Sequence, residues 1–165
     1  MINTVLIDID NTLLDFHACA ERAIEKAMSD HGLNADEHLY QVFYRVTAEL
    51  WRQIEARTLD HRGLCRQRWN TIFGELDIGL DGESFETQFR ENLKHEAIPM
   101  PGARELLRYF ANKYPVYAAS NGPHQQQLVR LEKAGLTPYI EDLFTSERLG
   151  HPKPGKDFFD ACFFC

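Results

Sequence analysis

Residues 5–15 read Val5-Leu6-Ile7-Asp8-Ile9-Asp10-Asn11-Thr12-Leu13-Leu14-Asp15. The apolar, β-branched run Val5-Leu6-Ile7 has the pattern of a buried strand. It stops at two carboxylates two residues apart, with a hydroxyl residue two further on. In open α/β sheets, ligands bind outside the carboxyl ends of the strands, so Asp8, Asp10 and Thr12 fall at that edge. Two acids crowded together repel each other and lose hydration unless a cation or a shared proton relieves them. One reading makes one carboxylate a nucleophile or Mg2+ ligand and the other a proton shuttle. The other makes the pair a polar strand end turning into solvent, because Asp is common in turns. Taken alone, the pair leaves both open.

Outward from this stretch the chain turns helical. Phe16, Ala20, Ile24 and Met28 recur every four residues, and Gly32 follows a helix end. Leu39, Phe43, Val46, Leu50 and Ile54 form a second apolar stripe. A third helix is predicted from Asp60 to Phe73 with Leu64, Trp69 and Ile72 inward, and Phe85, Phe89 and Leu93 mark a fourth. These stripes read as core surfaces. Near Pro99 the character changes. Met100-Pro101-Gly102-Ala103 opens a helix with Leu106, Leu107 and Phe110 as its apolar face and Pro101 in its first turn. Val116–Ala119 reads as a buried strand, His124–Ala134 as a helix closed by Gly135, Leu143–Thr145 as a strand, and a last helix begins near Asp157. The fold class is α/β. The strands at the two ends of the pattern share one sheet, and residues 16–96 form a helical insertion in it. An insertion at that point is expected to act as a lid over the carboxylates.

The 165 residues suffice for a sizeable core. With 44% hydrophobic and 26% charged residues, the composition is that of a soluble globular protein. The net charge of −7, without a run of Lys or Arg, argues against a nucleic-acid surface. No apolar stretch is long enough to span a bilayer, and no charged-then-apolar leader precedes the first strand, which argues against export. Four cysteines are too few and scattered for a disulfide scaffold, consistent with the cytoplasm. Cys162-Phe-Phe-Cys165 has metal-like spacing but no second pair, and reads as two small helix residues.

Three strand ends bring polar groups to one edge. The first carries Asp8, Asp10 and Thr12. The second carries Ser120-Asn121-Gly122 and leads into a helix whose N-terminus favours a phosphate. The third is followed by Lys153, a point charge able to balance a phosphoryl oxygen and a nucleophilic carboxylate. Singly, Ser120 reads as a helix cap and Lys153 as a surface lysine; their order along the chain speaks for a joint site.

These residues carry a resemblance. Asp8-Ile-Asp10-Asn-Thr12-Leu-Leu resembles the first motif of the haloacid dehalogenase-like hydrolase superfamily. Ser120-Asn121-Gly122 resembles the second, and Lys153-Pro-Gly-Lys-Asp-Phe-Phe159 the third. Gln127-Leu-Val-Arg-Leu-Glu-Lys-Ala-Gly-Leu136 and Leu143-Phe-Thr-Ser-Glu147 are also similar to family text. The opening motif most resembles the helical-cap subgroup of pyrimidine 5′-nucleotidases and sugar-phosphate phosphatases. The resemblance implies a Rossmann-like, doubly wound parallel sheet from residues 1–15 and 97–165, with 16–96 as the helical cap. It implies a phosphatase acting on a small phosphate monoester, with a nucleoside monophosphate as one candidate. In that reading Asp8 attacks phosphorus, and Asp10 protonates the leaving oxygen and then activates water. Asp8, with the Asp10 carbonyl, binds Mg2+. Thr12, Ser120, Asn121 and Gly122 hold the phosphoryl group, and Lys153 balances charge. Dehalogenases of the superfamily have a non-acidic residue at the place of Asp10, so an acid there favours phosphate-ester hydrolysis.

The family pattern continues with another strand ending in an acidic motif that completes the metal site, and this sequence carries none after Lys153. The expectation is a core without its final strand or strands, weakened Mg2+ binding and a poorly active 165-residue chain. Three other functions compete. They are a phospholigand-binding remnant of the fold, a sugar phosphomutase, and a signalling receiver domain, which lacks a long insertion after its first strand. Trp51, Trp69, Tyr40 and Tyr44 could stack on a base or sugar, but read better as core or groove residues. His17 reads as a solvated or capping residue.

Overall fold

The computed structural model describes residues 2–163. Three strands, β1 (Val5–Asp8), β2 (Val116–Ser120) and β3 (Asp142–Thr145), form a parallel sheet in the order β1-β2-β3. Asp8 lies beside Ala119, and Ser120 beside Thr145. The carboxyl ends of the strands therefore line up on one edge.

The helices are α1 (Phe16–Asp30), α2 (Glu37–Glu55), α3 (His61–Glu75), α4 (Gly82–Lys94), α5 (Ala103–Ala111), α6 (His124–Lys133), α7 (Ser146–Leu149) and α8 (Lys156–Phe163). Side chains alternate across the sheet, as the period of two requires. Ile7, Val116, Ala118 and Leu143 pack with Leu107 of α5 and Leu131 of α6 on one face. Ala119 and Phe144 pack with Phe158 and Cys162 of α8 on the other. Helices thus cover both faces, as expected of a doubly wound sheet. Full burial of a side chain such as Leu107 contributes about 1.5–3 kcal/mol.

The described residues divide into two compact units. One takes in the chain up to Ala20 and from Lys94 onward; the other is Glu21–Leu93. Helix α1 runs through the first boundary, five residues beyond the start expected for the insertion. Its first turn belongs with the sheet: Asp15 Oδ1 accepts from Ala18 N at 3.0 Å, and Cys19 Sγ from Ile98 N at 3.3 Å. In the helical unit, Trp69 is fully buried, 5.5 Å from the ring of Phe43 and 4.4 Å from that of Phe85. It is a core residue.

Two local expectations need correction. Pro101 is not in the first turn of a helix. Ala103 N donates to Met100 O at 3.0 Å, and Gly102, at φ 81° and ψ −5°, caps α5. Met100–Ala103 is therefore a type II turn, with Pro at its second place and Gly supplying the positive φ of its third. That offset turns α5, so Leu107 is fully buried whereas Leu106 is 41% exposed. The short helix α7 escaped the sequence pattern, since four residues carry no periodicity. Cys162 is a buried residue of α8; the other half of the Cys-x-x-Cys pair, Cys165, lies outside the described residues. No helix among the described residues is long and apolar enough to cross a membrane.

Candidate functional site

The loop after β1 folds onto one carbonyl. Thr12, Leu13 and Leu14 N–H groups all donate to Ile9 O, at 3.2, 2.8 and 2.9 Å, while Ile9, Leu13 and Leu14 are fully buried. Apolar residues of the motif anchor the loop inward, and Asp8, Asp10 and Thr12 keep access to solvent. Thr12 Oγ1 donates to Asp8 Oδ2 at 3.2 Å. Lys153 Nζ reaches across the strand ends, donating to Asp8 Oδ1 at 2.5 Å and to Ala119 O at 2.8 Å. Asn121 explains how Lys153 arrives there. Its side-chain Nδ2 donates to Lys153 O at 3.0 Å, and its Oδ1 accepts from Lys153 N at 2.8 Å.

Asp10 has its own cation. Arg130 Nη1 donates to Asp10 Oδ1 at 2.6 Å and Gln127 Nε2 to Asp10 Oδ2 at 2.5 Å. Gln127 Nε2 also donates to Ser120 Oγ at 2.8 Å, and Gln127 Oε1 accepts from Arg130 Nη1 at 2.9 Å. The second donor to Ser120 Oγ is Gly122 N, at 2.9 Å. A hydroxyl has two acceptor positions and one hydrogen. With both acceptor positions engaged, the Ser120 hydroxyl has its O–H left to give. Gly122 is explained by Gln127: a Cβ at position 122 would stand 2.7 Å from Gln127 Nε2.

Burial opposes the charge on Arg130, which is fully enclosed. The Asp10 carboxylate, by Coulomb attraction and hydrogen bonding, and then the Cys19 thiol more than offset it, so the Arg130 pKa lies above its ordinary value. The two acids at the strand end are thus relieved by two separate cations, Lys153 and Arg130, as the electrostatics of crowded carboxylates demand.

The structure therefore brings together Asp8, Asp10, Thr12, Ser120, Asn121, Gly122 and Lys153. Helix α6 starts at His124 after Pro123 with no side-chain cap, and its first N–H, that of His124, donates to Glu147 Oε2 at 2.7 Å. Ser120 is not its cap. Tyr40 and Tyr44 hydroxyls donate to Glu25 and Glu21. Gln127 and Arg130 are site residues that the sequence reading passed over. The available signal was two long polar side chains three residues apart, hence on one helix face, directly after the Ser120 motif.

The residues present fit a hard divalent cation in part. The Asp8 carboxylate, 44% exposed, and the Asp10 carbonyl are oxygen donors of the kind Mg2+ takes alongside several waters. No group of three or more His, Cys, Asp or Glu side chains suited to a metal occurs among the described residues.

A family model for haloacid dehalogenase-like hydrolases matches residues 2–163. The chain is 28% identical to the HAD-hydrolase YfnB of Bacillus subtilis, covering 97% of this chain and 68% of YfnB. It is 30% identical to the pyrimidine 5′-nucleotidase PynA of Streptococcus pneumoniae, covering 94% of this chain and 66% of PynA. The chain thus spans about two thirds of the length of these relatives. The magnesium-bound crystal structure of YfnB superposes with a TM-score of 0.90 at 27% identity, over 98% of this chain and 71% of that one. The L-2-haloacid dehalogenase of Xanthobacter autotrophicus shares the fold, with a TM-score of 0.75 at 24% identity over 98% of this chain and 64% of that one.

Proposed function

The chain belongs to the haloacid dehalogenase-like hydrolase family, and on that premise we propose that it is a cytoplasmic, Mg2+-dependent phosphatase of a small phosphate monoester. The observation that carries this reading is the acid at position 10. Its carboxylate is linked through Gln127 to the Ser120 hydroxyl, next to the Asp8–Lys153 pair. A leaving alkoxide needs a proton, and a leaving halide does not.

Asp8 attacks phosphorus through a carboxylate oxygen, forming an aspartyl-phosphate as the ester oxygen departs. Asp10 gives that oxygen a proton, then takes one from the water that hydrolyses the intermediate. The Ser120 O–H and the Asn121 backbone N–H hold the phosphoryl oxygens, Thr12 and Gly122 shape the cradle around them, and Lys153 balances the charge on Asp8. Mg2+ held by Asp8 and the Asp10 carbonyl would supply positive charge against the same oxygens. The helical unit, Glu21–Leu93, is the cap that selects the substrate. PynA is named a pyrimidine 5′-nucleotidase, which supports a pyrimidine nucleoside monophosphate as the first substrate to try.

The test is turnover of p-nitrophenyl phosphate and of a panel of nucleoside monophosphates, with and without Mg2+. Asp8→Asn is expected to abolish turnover, with an unchanged circular dichroism spectrum. Full turnover by that variant overturns the assignment.

A further inference from the structure

We propose that Arg130 and Gln127 are positioning residues for the Asp10 carboxyl group, so that α6 sets the aim of the proton donor toward the leaving oxygen. This rests on the phosphatase reading and deepens it. Both side chains are fully buried, yet the carboxylate they hold is 31% exposed. Burying a guanidinium is unfavourable unless it is paired and hydrogen-bonded, and apolar residues of like volume often serve stability as well or better. Core packing alone therefore gives no reason for an arginine here.

The contacts give one. Asp10 receives one hydrogen bond on each oxygen, from Arg130 on Oδ1 and from Gln127 on Oδ2. Two donors on two oxygens fix the rotation of the carboxyl plane. The donors are themselves fixed: Arg130 Nε donates to Glu96 O at 3.1 Å, and the Gln127 amide spends both its hydrogens and its oxygen on Asp10, Ser120 and Arg130. Ser120 and Asp10, a phosphoryl-binding hydroxyl and a proton donor, are thereby set relative to each other by a single amide. The proton bound for the leaving oxygen occupies the lone pairs that these donors leave open.

The experiment compares kcat/KM for two esters, which reports the steps up to departure of the alcohol. A p-nitrophenolate leaves without a proton, whereas an alkyl alkoxide needs one. In Arg130→Met the alkyl phosphate is expected to lose about 10²-fold or more in kcat/KM, with the aryl phosphate within several-fold, and Arg130→Lys is expected to recover part of the loss. Gln127→Met, which leaves the charge pair intact, is expected to show the same discrimination more weakly. Equal losses on both esters would mean a structural role only and overturn the proposal.

A second arm needs no turnover. The Arg130 guanidinium should give hindered, slowly exchanging NMR signals that vanish in Asp10→Asn and persist in Asp8→Asn. Signals unaffected by Asp10→Asn overturn the proposal as well. If the unsubstituted chain at saturating Mg2+ hydrolyses neither ester above the background of Asp8→Asn, the phosphatase reading falls, and the NMR arm still decides whether α6 holds Asp10.

Discussion

A methyl group on residue 122 would meet the Gln127 amide at 2.7 Å, in a place where Gln127 has no room to yield. Gln127 is fully buried and each of its polar atoms is engaged. Gly122→Ala is accordingly expected to lower stability by about 1–3 kcal/mol through overpacking, measured by the denaturant midpoint, and to raise the ester discrimination described for Gln127. An unchanged midpoint would mean that the amide can move aside. This residue also marks where sequence reasoning stopped short. Asp8, Asp10 and Ser120 were legible because each stands at a strand end or in the loop after one, and Lys153 because Pro152 and Pro154 mark its loop, where local pattern is informative. From sequence, Gly122 reads as part of the phosphoryl-binding segment and Arg130 as part of a helix. Their reason is an acid 120 residues away from Arg130, and no local pattern carries that.

Elements were legible wherever the apolar period was long. Helices α2, α3 and α4 follow from stripes ending in Ile54, Ile72 and Leu93, and Asp36 and Asp60 cap α2 and α3 by accepting from Leu39 N and Gly63 N. What the stripe hides is the polar pair inside it. Arg68 of α3 holds Glu86 of α4 by two hydrogen bonds, at 3.0 and 2.6 Å, both side chains over nine-tenths buried. The guanidinium also lies 4.9 Å from the centroid of the Phe89 ring. A charged residue on a helix facing the core looks from sequence like a break in the pattern, because its partner is on another helix. Glu86→Ala strands the buried guanidinium and should cost about 3–5 kcal/mol, read as a lower denaturation midpoint. Arg68→Met combined with Glu86→Leu removes both charges and should recover most of that loss. Additive losses in the double variant would mean that the two side chains are not coupled and would overturn this account of the pair.

At the scale of the molecule, the sheet order decides how firmly the strand that carries Asp8 is held. Among the described residues, β1 pairs with β2 alone and stands at the sheet edge. Val5 N donates to Pro115 O at 3.0 Å, so the parallel ladder directs the Ile7 N–H toward β2 and the Leu6 and Asp8 N–H groups away from it. The strand that ends in Asp8 is thus tied by half its amides, whereas β2, between two neighbours, is tied on both sides. Native-state hydrogen exchange should find Ile7 protected with the core, and Leu6 exchanging orders of magnitude faster despite lying one residue away. An unpaired edge is also a template for another strand. If Leu6 becomes protected as protein concentration rises while Ile7 does not change, a second copy is pairing along β1. If Leu6 is as protected as Ile7 at every concentration, the edge is covered within the chain, and the strand that ends in Asp8 is held on both sides.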